Sequence, residues 1–119
     1  MTNPTESVDV FLRFLEEETD MLKGIFRSPV GLLLNRMPIF GRENWPDEKV
    51  AVLGRLIARS LVRLAHLPPD KHDFALWLLA RRSGDTADKN LAELKDEYFQ
   101  MSSVPVLFLT ESGQQFLQN

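Results

Sequence analysis

The chain has 119 residues, 44% hydrophobic and 26% charged, with a net charge of −3 and no cysteine. This is the composition of a globular protein and excludes a disordered or fibrous one. The missing cysteines exclude disulfide frameworks, thiolate zinc sites and thiol nucleophiles.

The opening MTNPTESVDVF carries acid and proline where a secretory signal has a basic region and an apolar stretch. The longest apolar run, Phe74 to Ala80, is far too short to cross a bilayer. These features predict a soluble, cytoplasmic protein with no membrane role. Charge is segregated along the chain. Residues 1–48 carry nine acids and five bases, residues 49–82 two acids and seven bases, and residues 83–119 six acids and two bases. Either the outer segments fold back on the basic middle, or the middle offers a basic face to a partner.

In chain order, helical spacing of Val8, Phe11, Leu12, Leu15, Leu22 and Phe26 predicts a first helix from about Glu6 to Arg27. Ser28 and Pro29 suit the start of a short helix, VGLLLNRM, that stops before Pro38. Residues 38–46, PIFGRENWP, form a loop bearing Phe40 and Trp45. The next helix begins near Pro46 or Asp47 and runs to about His66, with Val50, Leu53, Ile57, Leu61 and Leu64 as its inner face. Pro68 and Pro69 end that element.

Asp70, with Asp73 three residues on, caps KHDFALWLLARR. Its core is apolar on every side, so it is expected at the centre of the fold. Asp85 suits the cap of a helix from Thr86 to about Met101, whose face is Ala87, Leu91, Leu94, Tyr98 and Met101. Ser103 to Leu109 is too short and too β-branched for a helix. It reads as a strand, and Pro105 assigns it to an edge or bulge. Thr110 then caps a last short helix, ESGQQFLQ.

Within the helix assigned to residues 46–66, Arg55, Arg59 and Arg63 recur every fourth position. This spacing puts them on one side, with Val52, Leu56 and Val62 as aliphatic neighbours. Such a row can be a solvated face whose heads meet acids of the first helix. It can equally be an interface with a protein partner or a second copy, because interfaces favour arginine within apolar surface. Nucleic acid ranks behind these, for want of interleaved aromatics in an acidic chain. Phe40 and Trp45 are further candidate anchors, or a lid on the core.

Chemistry is sparsely indicated. Glu16 and Asp20 stand one turn apart but have no histidine on their helix. His66 and His72 match no metal-binding pattern, with His66 expected at a helix C-terminus and His72 in a first turn. No phosphate loop or nucleophile motif is present in the sequence. No catalytic residue, metal ligand or cofactor is assigned, although a site assembled from distant residues would leave no such trace.

The segment VPVLFLTESGQQFLQ resembles the end of winged-helix transcription regulators, in which a wing strand runs into a leucine-threonine-acid-x-glycine turn that opens a closing helix. The matching residues are Leu109, Thr110, Glu111 and Gly113, followed by Phe116 and Leu117. The resemblance covers the last third of the chain. It implies a helix-turn-helix in ARRSGDTADKNLAELKDEYF, with Thr86 to Tyr98 in the recognition position and DNA as the partner. The sequence departs from that role, since Asp88, Glu93, Asp96 and Glu97 face only Lys89, Lys95 and Asn90 as groups suited to phosphates or bases.

The sequence therefore predicts a mainly α protein: one compact domain of five or six helices over residues 1–119, with room for a short extended segment or hairpin at its end. Its expected role is non-catalytic: a regulatory or adaptor-like protein that binds a protein partner or itself as a homodimer. The expected contact residues are Arg55, Arg59, Arg63, Val52, Leu56, Val62, Phe40 and Trp45. A nucleic-acid-binding regulator is the alternative, and a small enzyme or metal protein the third reading.

Overall fold

The computed structural model describes residues 4–26, 35–39, 45–80 and 89–118, and among them are five helices and a three-stranded sheet. In chain order these are α1 (Pro4–Ile25), β1 (Arg36–Pro38), α2 (Asp47–Ala58), β2 (Val62–Leu67), α3 (Lys71–Ala80), α4 (Leu91–Gln100), β3 (Val104–Leu109) and α5 (Glu111–Gln118). The protein is mainly helical, as its sequence predicts, but it is built on a sheet that the sequence reading confined to one C-terminal segment.

The helix expected to run from Pro46 to His66 stops at Ala58. Ser60 takes a left-handed φ of 58°. Its N–H bonds to the Ile57 carbonyl, and the Leu61 N–H bonds to the Leu56 carbonyl, each at 3.0 Å. Paired bonds of this kind close a helix through a left-handed residue, a place usually filled by glycine. With serine there, the stop signal is absent from the sequence. The chain then reverses its periodicity. Val62 and Leu64 turn to the core with the exposed Arg63 between them, and the segment becomes β2.

β3 lies between β1 and β2, antiparallel to both. Pro105 therefore sits in the central strand, not at the edge its chemistry suggested. A strand residue's N–H and C=O point to the same side, and the Pro105 carbonyl accepts from Ile39 N at 2.9 Å. The missing proline N–H faces the β1 side, just past the last registered pair, Pro38 with Val106. Only the reciprocal bond to the Ile39 carbonyl, at the end of the β1–β3 ladder, is missing. Arg36 and Met37, expected in a helix, belong to β1. Asn35 of that expected helix is in a turn with a left-handed φ of 52°, and residues 30–34 lie outside the described residues, as do Phe40 and Asp85.

The pleat sorts side chains onto two faces. Leu107, Leu109, Met37, Val62 and Leu64 join Leu22 and Phe26 of α1, Leu53 and Leu56 of α2, and the partly buried Phe116 and Leu117 of α5 in the larger core. On the other side, Val104 packs with Phe74 and Trp77 of α3 and with Leu94 and Tyr98 of α4. Phe74 lies 4.9 Å from Tyr98, centroid to centroid. α3 flanks the sheet and serves both cores, with Leu76 in the larger and Phe74 and Trp77 in the smaller, while Ala75 and Leu79 face outward. β3 takes the central place.

The expected caps are present where the described residues include them. Asp70 Oδ1 accepts from the backbone N–H of His72 and Asp73 at 2.9 and 3.0 Å, and the bond from Asp73 holds its carboxyl below the usual range. Burial raises the Tyr98 hydroxyl above its ordinary value. α4 begins later than its sequence pattern suggested, at Leu91, with Asn90 accepting from Glu93 N at 2.9 Å. Thr110 Oγ1 caps α5 by accepting from Gly113 N at 3.0 Å, and it also donates to the Leu61 carbonyl at 3.0 Å.

Candidate interaction surface

The three arginines do not form a stripe. Arg55 lies on α2, Arg59 caps its C-terminus, and Arg63 stands on β2. Arg55 bonds to Glu17 at 2.8 Å and to Glu18 at 3.3 Å, with its guanidinium 4.4 Å above the Phe14 ring. Arg59 also pairs with Glu18 and lies over Phe116. Glu18, only 2% exposed, is the shared acceptor of a clamp that fastens α1 to α2. Acids of the first helix thus neutralise these two arginines, one of the two outcomes open from the charge segregation.

Arg63 projects from the other sheet face. In register, Phe108 of β3 lies between Arg36 and Arg63, whose guanidinium carbons are 5.2 and 4.5 Å from the ring centroid. Arg36 also bonds to the buried Asp73 of α3 at 2.6 Å. Arg63 has no carboxylate partner among the described residues.

The aliphatic neighbours assigned to the stripe are core. Val52, Leu56 and Val62 are buried, while Val50 and Ile57, assigned inward, are exposed. The expected inner face is rotated rather than reversed: Leu53 is buried as assigned, and Leu61 and Leu64 also reach the core, but from beyond the end of the helix. Arg59, Leu61, Val62, Arg63 and Leu64, five of the residues assigned to its two faces, lie beyond Ala58 and do not belong to the helix. Trp45 packs on the edge of the larger core with Lys49 Nζ 4.0 Å above its ring.

Among the described residues, half of the exposed large hydrophobic side chains, five of ten, lie instead on α1. Leu22, Leu15, Phe11 and Val8 follow one another on a single stripe. Leu22 is fully buried, yet Phe11 is 60% exposed, and Val8 and Leu12 are similarly open. The stripe that is core at one end of the helix continues beyond the body at the other. Val10 and Phe14, on the flank toward Arg55, are also exposed. The signal was legible in VDVFLRF, where five of seven residues are apolar, more than one core-facing stripe requires. The shape agrees: the radius of gyration is 15.7 Å and the longest dimension 53 Å, against about 13.5 Å for a compact chain of this length.

The outward face of α2 adds to this surface. Val50, Ala51, Gly54, Ile57 and Ala58 are all exposed and share one side of the helix. A Cβ placed on Gly54 would meet nothing within 4 Å. Arg55, lying on Phe14, joins the two helical surfaces.

Other candidates stay apart. His66 is on β2, not at a helix end, while His72 occupies the first turn of α3 as expected; both are exposed. Among the described residues, no group of three or more metal-ligating side chains comes together, and no helix is long and apolar enough to cross a membrane. Comparison with protein-family models, curated proteins and solved structures finds no match.

Proposed function

We propose that this is a non-catalytic protein-interaction module of the regulatory or adaptor type, acting through the first half of α1. The observation that carries this reading is the continuous stripe that is core at Leu22 and Phe26 and uncovered at Val8, Phe11 and Leu12. A projecting segment of helix gains little stability from its own hydrogen bonds, and helices in proteins are held chiefly by packing of the apolar face. A partner supplies that packing. Arg55 and Arg59 serve the reading indirectly, by fixing α1 against α2 so that its first turns are presented outward.

The test is capture by immobilised protein, comparing the parent with a Phe11→Asp/Leu12→Asp variant. Both positions are exposed, so the variant is expected to keep the circular dichroism spectrum of the parent and lose bound protein, whether second copies or others. Equal capture by a folded variant would remove α1 as the contact surface.

The nucleic-acid alternative keeps one supporting feature, the order of β3, Thr110 and the α5 cap at Gly113 implied by the winged-helix resemblance. It requires binding that weakens steeply as salt rises.

A further inference from the structure

We infer that the partner of this surface is a second copy of the chain, each copy laying the first half of its α1 into the shallow trough on α2 of the other. The inference rests on the interaction reading above and adds the identity of the occupant.

The two helices carry complementary shapes. α1 offers a ridge of large side chains, Val8, Phe11 and Leu12, and α2 offers Ala51, Gly54 and Ala58 with open space above the glycine. Small residues let a second helix approach closely, and large ones fill the space between. Because one chain carries both parts, a twofold axis satisfies the ridge and trough of each copy reciprocally, as an isologous dimer requires.

The area is of the right size. Five large apolar residues of α1 (Val8, Val10, Phe11, Leu12 and Phe14) and two of α2 (Val50 and Ile57) stand roughly half exposed. At about 100–200 Å² for a fully exposed side chain, they present on the order of 500 Å². That is at the upper end of what a monomer leaves open, about 300–600 Å². With the small residues of the trough it approaches the ~800 Å² per partner of a stable interface.

Charge does not oppose the pairing. None of these ridge and trough residues is charged, and the exposed Asp9, Arg13 and Glu16 lie off the stripe, at its rim. Two copies of the same acidic chain can meet here with their charges left in water.

The experiment is size-exclusion chromatography with light scattering over a concentration series, on the parent, the Phe11→Asp/Leu12→Asp variant and Gly54→Leu. The parent is expected at twice its 13.7 kDa mass, and both variants at the monomer mass. Gly54→Leu keeps the test independent of folding, because its Cβ meets no neighbour and leucine favours helix over glycine. Its melting temperature, measured at dilutions where the parent is also monomeric, should not fall.

A dimer that persists in both variants would overturn the inference by placing the contact elsewhere. A parent that stays monomeric but captures another protein through Phe11 and Leu12 would overturn the second copy and preserve the interaction reading. A monomer whose capture is indifferent to those residues would overturn both.

Discussion

Replacing Glu18 by alanine removes the acceptor shared by Arg55 and Arg59 and should be among the more damaging single changes in α1. Glu18 is 2% exposed, whereas the Arg55 and Arg59 side chains are 29% and 43% exposed. A hydrogen bond to a charged group contributes about 1.5–3 kcal/mol. Both guanidiniums keep access to water and Arg55 keeps Glu17, so screening lowers each lost bond to about 1 kcal/mol. Losing buried methylene packing adds roughly 1 kcal/mol. The expected loss is therefore about 3 kcal/mol, or about 10–15 °C in melting temperature for a chain of this length. Glu18→Gln retains the shape and one acceptor and should lose about half as much. Glu17→Ala, at a position 41% exposed, should cost no more than about 0.5 kcal/mol. Thermal and urea unfolding followed by circular dichroism, at one fixed protein concentration, gives the ranking. Glu18→Ala within ~0.5 kcal/mol of the parent, or no worse than Glu17→Ala, would refute the assignment of the clamp as a structural fastening.

Two backbone positions give opposite expectations. A Cβ at Gly113 would lie 2.1 Å from the Leu61 carbonyl oxygen and 2.6 Å from Leu109 Cδ1. That carbonyl is held by Thr110, so Gly113→Ala should destabilise by about 1–3 kcal/mol despite alanine's better helix propensity, as a lower urea midpoint would show. Ser60→Gly relieves the left-handed φ of 58° at the cost of a more flexible unfolded chain, and should raise stability by about 0.5–1 kcal/mol in the same assay.

Local signals in the sequence predicted the helices well where they are self-contained. Asp70 and Thr110 cap as their side-chain chemistry requires, and Leu94 and Tyr98 are inward as their spacing requires. The sheet was mostly hidden because its signals are non-local. β1 is only Arg36–Pro38, and it exists because β3 arrives beside it from about 70 positions away. β2 was hidden by coincidence: Arg55, Arg59 and Arg63 repeat at helical spacing across a left-handed serine that carries no glycine flag. The exposed apolar face of α1 was half visible. The stripe on α1 was read correctly, but periodicity alone cannot tell which part of a stripe the rest of the chain covers. The acids that neutralise Arg55 and Arg59 were anticipated as a class, and the buried position of Glu18 was not.

The pairing order of the sheet also governs when the protein can fold. β1 and β2 are not paired with each other; each pairs with β3. As the chain leaves the ribosome, both strands wait with open edges until residues 104–109 have been made, so nearly nine-tenths of the chain precedes the first complete strand pair. Helices can form early, but the layer that joins them can be completed only after β3 is made, from contacts far apart in sequence. Such contacts close slowly and leave nascent strands open to wrong pairing. A nascent chain that stalls before Val104 lacks the strand to which both β1 and β2 pair.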